Sequence, residues 1–426
     1  MNLQQLRVLI VGCGNIAGGF DAERPASALP LTHAGAYWRH GGFRLVACVE
    51  PDAARREAFM QRWLVEKGFP TIDAAAAAGP YDVVSLCSPT ALHAAHIAAI
   101  LPLHPRLVFC EKPVTRTAAE TAAAVEVCAA AGVRMAVNHN RRWAPDIVRL
   151  QRELAAGAAG PWGAVRSAVG IYNKGVLNNG SHLVDLAQML LGPLELVATG
   201  LPVHDHWQDD PTVPALLQTR SGVPVTLNPA HAADYAVFEL QLFTERGMVA
   251  MEDGGAGWRT RRIVGSPHFK GYAVLDGGQR TSGEYHASTL AAVTNVYDAL
   301  TRQAPLASTG ETALAAQRLC ELIGRRAAAR AAGDFAASTS PATLGGAFTE
   351  ARTDARTDAR VDPRVDARRA AHAAATPPEL PAKPSTGAVA TGTPATGTPA
   401  AADGPGPGVS APRASGRRGK QAARTP

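Results

Sequence analysis

Five short apolar runs, at residues 6–11, 43–49, 81–87, 107–110 and 133–137, are separated by stretches long enough to hold a helix. Alternation of this kind predicts right-handed strand–helix–strand units and a parallel sheet. The run at 81–87 is nearly continuous in apolar residues, which suits a strand buried on both faces. A helix is expected over 117–131, and another opening at Asp52 and running to Lys67. Beyond residue 163 the rhythm changes. A strand at 164–172 and a polar loop at 173–180 precede a helix at 181–191 that stops at Gly192-Pro193, a helix-ending pair. Strand-like runs follow at 194–200, 212–219, 223–228, 238–243, 248–252 and 258–264, with Gly222, Gly247 and Gly254-Gly255 between them as turns. Helices at 288–302 and 311–330 close the pattern, their Leu, Val and Ala spacing being that of core packing. At 426 residues the chain exceeds one ordinary core. The expected class is α/β: a doubly wound parallel sheet over residues 1–137 and a second α/β domain over 138–332.

From Gly333 onward the character is different. Residues 351–369 repeat an Ala-Arg-Thr-Asp theme, and residues 374–426 are mostly Pro, Ala, Thr and Gly. Such a segment lacks the apolar content to offset its ordering entropy, so 333–426 is expected to be a disordered tail. The formal charge of +6 belongs largely to it, with 12 Lys and Arg against 8 Asp and Glu. The remaining 30 against 28 leave the folded part near neutral, which gives no charge footprint for a nucleic-acid partner. The six cysteines are scattered without a C-x-x-C pair, a usage that fits small buried hydrophobes in a reducing compartment. With no signal-like N-terminus and no long apolar span, no membrane partner is expected and the cytoplasm is the expected location.

The strand ends carry the chemistry. The first strand runs into Gly12-Cys13-Gly14-Asn15-Ile16-Ala17, a G-x-G-x-x-A turn. There one glycine permits the bend, the next lets backbone approach a pyrophosphate, and the small third residue allows close packing. The second strand ends in Glu50-Pro51-Asp52; an acid there binds the ribose hydroxyl of NAD and repels the extra phosphate of NADP. Its spacing from Gly14 is long because residues 20–31 look inserted, and Arg55 and Arg56 keep NADP as the alternative. Ser88, Pro89, Thr90 and His93 follow the third strand and should line the cofactor crevice, together with Glu111, Lys112 and Asn140. The fourth strand stops abruptly in Glu111-Lys112-Pro113, poor sequence for a plain turn, and Lys112 is read as the proton-transfer residue of an oxidoreductase. His204, His206 and Asp209-Asp210 look metal-like but sit in a Pro-bounded loop without a second cluster, so no metal is expected.

With these residues in place the chain resembles the glucose–fructose oxidoreductase / inositol dehydrogenase (Gfo/Idh/MocA) family. The glycine turn, Glu50-Pro51-Asp52, Cys87-Ser88-Pro89-Thr90 with His93, Glu111-Lys112-Pro113, Asn140-Arg141-Arg142-Trp143 and Gly180-Ser181-His182-Leu183-Val184-Asp185 carry the resemblance. It implies an N-terminal Rossmann domain, and a C-terminal domain whose large, open, mostly antiparallel sheet often forms a homo-oligomer interface. It also implies oxidation of a sugar or polyol hydroxyl, or reduction of the ketone, with NAD(P). Lys112 and His182 become the proton-handling pair, in a motif whose Lys-Pro bond is often cis. Arg141, Arg142, Tyr172, Asn178 and Asp185 are then expected to position the substrate, a sugar, polyol or nucleotide-linked sugar. Glu111 should turn away from Lys112 or engage backbone, because pairing would oppose the lowering of the lysine pKa that base catalysis needs.

One departure matters. Many family members carry an aspartate four residues before the histidine, and this chain has Asn178. Asparagine orients a hydroxyl but neither takes a proton nor supplies charge. That leaves a non-catalytic NAD-binding sensor or partner-docking protein as one rival reading. Redox-assisted elimination or glycoside cleavage with retained NAD is another.

Overall fold

A computed structural model of the chain describes residues 5–338. These fall within one compact unit that contains two sheets. Residues 333–338 of the expected disordered tail instead continue the last helix, Gly310–Ser338, and the rest of that region lies outside the described residues.

The first sheet comprises β1 (Leu6–Val11), β2 (Phe43–Val49), β3 (Lys67–Phe69), β4 (Val83–Leu86), β5 (Leu107–Cys110) and β6 (Arg134–Val137). Its order is β3-β2-β1-β4-β5-β6 and every pairing is parallel, the doubly wound Rossmann arrangement. The connecting helices are α1 (His33–His40), α2 (Ala53–Trp63), α3 (Ile72–Ala75), α4 (His93–Ile100) and α5 (Ala118–Ala130). Alternate residues of β1 enter different cores: Val8 and Ile10 on one face, Leu9 and Val11 on the other. That two-sided burial is why these strands read as unbroken apolar runs.

Strand β3 replaces the end of a helix expected to continue to Lys67. Leu64 adopts φ 53 and ends α2 in a left-handed cap. The next residues then pair with β2. Three residues with an exposed lysine are too few to give a strand signal.

The second sheet contains β7 (Val165–Tyr172), β8 (Leu194–Thr199), β9 (Ala215–Thr219), β10 (Pro224–Pro229), β11 (Phe238–Thr244), β12 (Gly247–Glu252), β13 (Gly257–Gly265), β14 (Ala273–Leu275) and β15 (Gln279–Ser282). It is antiparallel except where β10 runs parallel to β7. One face is covered by α6 (Pro145–Ala155), α7 (Ser181–Leu191) and the long α9 (Gly310–Ser338). Between β15 and α9, α8 (Ser288–Thr301) returns to the first sheet and packs on α1 through Ala292, Val293 and Val296. The two sheets therefore share late helices. No helix among the described residues is long and apolar enough to cross a membrane.

Candidate active site

The site lies at the C-terminal ends of the neighbouring strands β1 and β4, where the loops after them meet, the usual crevice of open α/β sheets. Gly12 has φ +89, and a Cβ there would stand 2.7 Å from the Ser88 backbone nitrogen. Only glycine lets the two loops touch this closely. Gly14 meets nothing within 4 Å, leaving its face open to a ligand. Ala17 is fully buried.

A first helical turn begins here, with Gly18 N donating to Gly14 O at 3.2 Å and Phe20 N to Asn15 O at 3.0 Å. The inserted residues then loop out, and α1 resumes the turn: His33 N donates to Ile16 O and Ala34 N to Ala17 O. Asp21 ties the insertion down by accepting from Leu31 N, Thr32 N and Thr32 Oγ1. At the end of β2, Glu50 accepts from Cys13 N at 3.1 Å and lies 3.3 Å from Arg55 Nη1. The open glycine face, the free first-turn amides and an acid at the tip of β2 fit a dinucleotide. Two buried acceptors, Asn138 Oδ1 and Asn140 Oδ1, have no hydrogen-bond partner among the described residues; they suit donors of a bound cofactor or substrate. The Asn140 amide nitrogen donates to Tyr285 Oη at 2.9 Å.

Among the expected crevice residues, Ser88 bonds His96 Nδ1 at 2.9 Å, and Pro89 and Thr90 follow it on the open loop. His93 does not line the crevice. It is 1% exposed, with Nε2 at 2.7 Å from Ser88 O and Nδ1 at 3.0 Å from Val114 O. It clamps the β4 loop to the β5 loop from behind.

Glu111 does turn away from the lysine side chain, and its main partners are side chains. Oε1 accepts from Asn138 Nδ2 at 2.7 Å and lies 2.9 Å from His33 Nε2; Oε2 accepts weakly from Lys112 N. Behind it His33 Nδ1 lies 3.2 Å from Ser85 Oγ, which bonds Tyr37 Oη at 2.7 Å. Burial pushes the Glu111 carboxyl up, but these hydrogen bonds and the neighbouring charges outweigh it and hold it below the usual range.

The Lys112–Pro113 bond is cis. Lys112 Nζ donates to Asn178 Oδ1 at 3.1 Å. Asn178 sits in a π-helical turn, Gly175–Gly180, that runs straight into α7, where a polar loop was expected. Asp210 builds this turn: its two oxygens accept from Leu177 N and Asn178 N, each at 2.8 Å. Gly175 has φ +86, and a Cβ there would stand 2.1 Å from the same carboxylate. The Asp210 of the metal-like loop is thus a backbone clamp. His182 follows one turn after Asn178 on α7, its ring 5.4 Å from the His139 ring and 6.5 Å from that of Phe238.

Burial lowers the Lys112 pKa from its ordinary 10.5; Glu111 and Asp210 pull it up, and Arg141 adds to the lowering. Burial, then the Lys112 and Arg141 charges and His139, hold His182 well below the usual histidine range, so its ring is neutral at neutral pH.

Three expected substrate residues are framework instead. Tyr172 is fully buried and its hydroxyl donates to Val213 O at 2.8 Å. Arg142 and Asp185 form a buried pair, Nε lying 2.8 and 3.0 Å from the two carboxylate oxygens. His139 Nδ1 is 3.3 Å from Asp185 but lacks the alignment of a hydrogen bond. The family resemblance places them in the site, but their partners lie across the core. Arg141 does belong to the cluster, its guanidinium carbon 3.9 Å from the Phe238 ring centroid and 4.9 Å from that of Tyr285.

Comparison with known proteins agrees with the fold. The pattern of a family described as "Oxidoreductase family, NAD-binding Rossmann fold" matches residues 6–139. Inositol 2-dehydrogenase of Rhizobium meliloti is 27% identical over 250 residues, which are 54% of this chain and 74% of that protein. D-apiose dehydrogenase of Paraburkholderia graminis is 28% identical over 225 residues, 47% of this chain and 57% of that one. The chain therefore spans about three quarters of the first relative's length and little over half of the second's. Among solved structures, an NAD-binding oxidoreductase from Klebsiella pneumoniae superposes with TM-score 0.62 at 17% identity, over 77% of this chain and 98% of that one. A dehydrogenase from Clostridium difficile gives 0.57 at 16%, over 75% and 99%. At such identities these two establish the fold alone.

Proposed function

We propose that the chain, whose residues 6–139 match the Gfo/Idh/MocA family of NAD-binding oxidoreductases, is a sugar- or polyol-type dehydrogenase in which Lys112 and His182 handle the proton. The observation that carries this is Lys112 Nζ, half-buried and 3.1 Å from Asn178 Oδ1, one helical turn before His182. Bound NAD supplies the hydride acceptor. In the oxidising direction the substrate carbinol loses its C–H as hydride and its O–H proton to neutral Lys112, leaving a ketone and a lysine ammonium. His182, neutral, hydrogen-bonds the same oxygen and steadies its developing charge. Asn178 accepts from the lysine and aims it without raising its pKa as a carboxylate would. Glu111, engaged with His33 and Asn138, leaves the lysine free of an ion pair.

Glu50 at the tip of β2 supports NAD over NADP. The six buried, unpaired cysteines support a reducing compartment such as the cytoplasm. Exposed Ile263, Val264 and Val274 on β13 and β14 support a homo-oligomer through the second sheet.

The test is absorbance at the NADH band. The chain is mixed with NAD, and separately NADP, across free sugars, polyols, aldonates and nucleotide-sugars. NAD reduction is expected with at least one class, faster than NADP reduction. Tight NAD binding with no reduction across the whole panel would sink the reading.

A further inference from the structure

The cationic groups Lys112 and Arg141 have no ion-pair partner among the described residues. Arg141 Nε donates to Gly254 O at 3.0 Å, and its guanidinium is wedged between the rings of Phe238 and Tyr285. Neither Nη nitrogen has a hydrogen-bond partner among the described residues. Among the described residues, the partners of Lys112 Nζ are the two carbonyl oxygens of Asn178. Three carboxylates around the site are already engaged. Glu111 is held by His33 and Asn138, Asp185 by Arg142, and Asp210 by the amides of Leu177 and Asn178. Among the described residues no acid lies within ion-pair distance of Lys112 or Arg141.

The two cations share one cluster. His182 follows Asn178 by a turn, its ring faces Phe238 at 6.5 Å, and Phe238 carries Arg141 at 3.9 Å. A lysine can shed its proton; an arginine cannot. Aromatic faces and one carbonyl stabilise a guanidinium but do not neutralise it. Buried charges are normally paired, because desolvation without a partner is costly. Where the family resemblance leads one to expect an acid, Asn178 removes the negative charge that would balance the site.

Resting on the dehydrogenase reading above, we propose that the substrate is an acidic sugar: a polyhydroxy compound whose carboxylate or phosphate pairs with the free edge of Arg141 while Lys112 and His182 meet the reacting hydroxyl. The planar guanidinium edge suits two parallel hydrogen bonds to either anion. Burial lowers the Arg141 pKa, the direction expected of a guanidinium partly removed from water without a counter-ion.

The experiment is calorimetric titration of the NADH-loaded full chain with matched sets: glucose, glucuronate and glucose 6-phosphate; galactose, galacturonate and galactose 6-phosphate; sorbitol and gluconate. In at least one set an acidic member should bind roughly tenfold to a hundredfold tighter than its neutral partner, as buried charge pairs do. Which acidic member prevails separates carboxylate from phosphate. Arg141→Gln should abolish the preference, and Arg141→Lys should restore part of it, which guards against a variant that merely misfolds. If no acidic member outbinds its neutral partner in wild type, or if the preference survives Arg141→Gln, the inference is overturned. Preferential binding of an acid without its oxidation would keep this inference and remove the dehydrogenase reading.

Discussion

Replacing Lys112 by alanine is expected to lower turnover by about 10²- to 10⁴-fold, the usual contribution of a positioned acid–base group. The side chain has one direct protein contact of consequence, the 3.1 Å bond to Asn178 Oδ1, so its removal leaves the fold with little to repair. The glycine turn, Glu50 and the β4 loop do not touch Nζ, and NAD affinity should stay within a few-fold of wild type. Stopped-flow turnover beside calorimetric NAD binding separates the two effects. Near-normal turnover would end the assignment. A collapse of NAD binding would make Lys112 a cofactor ligand first and a base second.

The second large effect concerns stability. Asp185 is 2% exposed and holds buried Arg142 by contacts at 2.8 and 3.0 Å. Burial raises its pKa, but His139 and Arg142 outweigh that and keep the carboxylate ionised. Asp185→Ala leaves a guanidinium buried without its counter-ion, and breaking such a pair costs about 3–5 kcal/mol. Arg142 Nη1 keeps only its bond to Ala307 O. Urea unfolding should show the free energy of unfolding falling by that margin, with the midpoint moved to lower urea. A loss below about 1 kcal/mol would mean that water reaches Arg142 and relieves it.

Much of this arrangement is legible in the sequence, and the reason is locality. The apolar runs of the first sheet and the glycine turn are contiguous signals, and the switch point follows from topology once they are read. Lys112 stands out because a strand ends in charge. Contacts made across the core are not legible in this way. His33 reaches Glu111 across 78 positions, and nothing near His33 marks it, although an inserted loop delivers it to the start of α1. Arg142, Asp185 and Tyr172 read as site residues because the family resemblance places them there. Their partners, Asp185 for Arg142 and Val213 for Tyr172, lie about 40 positions on. The turn at Gly175–Gly180 reads as a loop because its regularity is imposed by Asp210, a residue more than 30 positions later. Glycines and asparagines alone carry no helical period.

The role of Lys112 as a neutral base is tested most directly by the pH dependence of turnover in wild type and in Asn178→Asp. Lys112 must be unprotonated to accept the hydroxyl proton, so turnover should rise with pH through its folded pKa. That value lies below the ordinary 10.5, since burial and Arg141 outweigh the opposing pull of Glu111 and Asp210. His182 adds no limb above neutrality, its pKa being held low by burial and by the Lys112 and Arg141 charges. A carboxylate in place of the Asn178 amide, 3.1 Å from Nζ, stabilises the ammonium and should move the rising limb to higher pH by about 1–3 units. A limb that stays where it was would contradict Lys112 as the base.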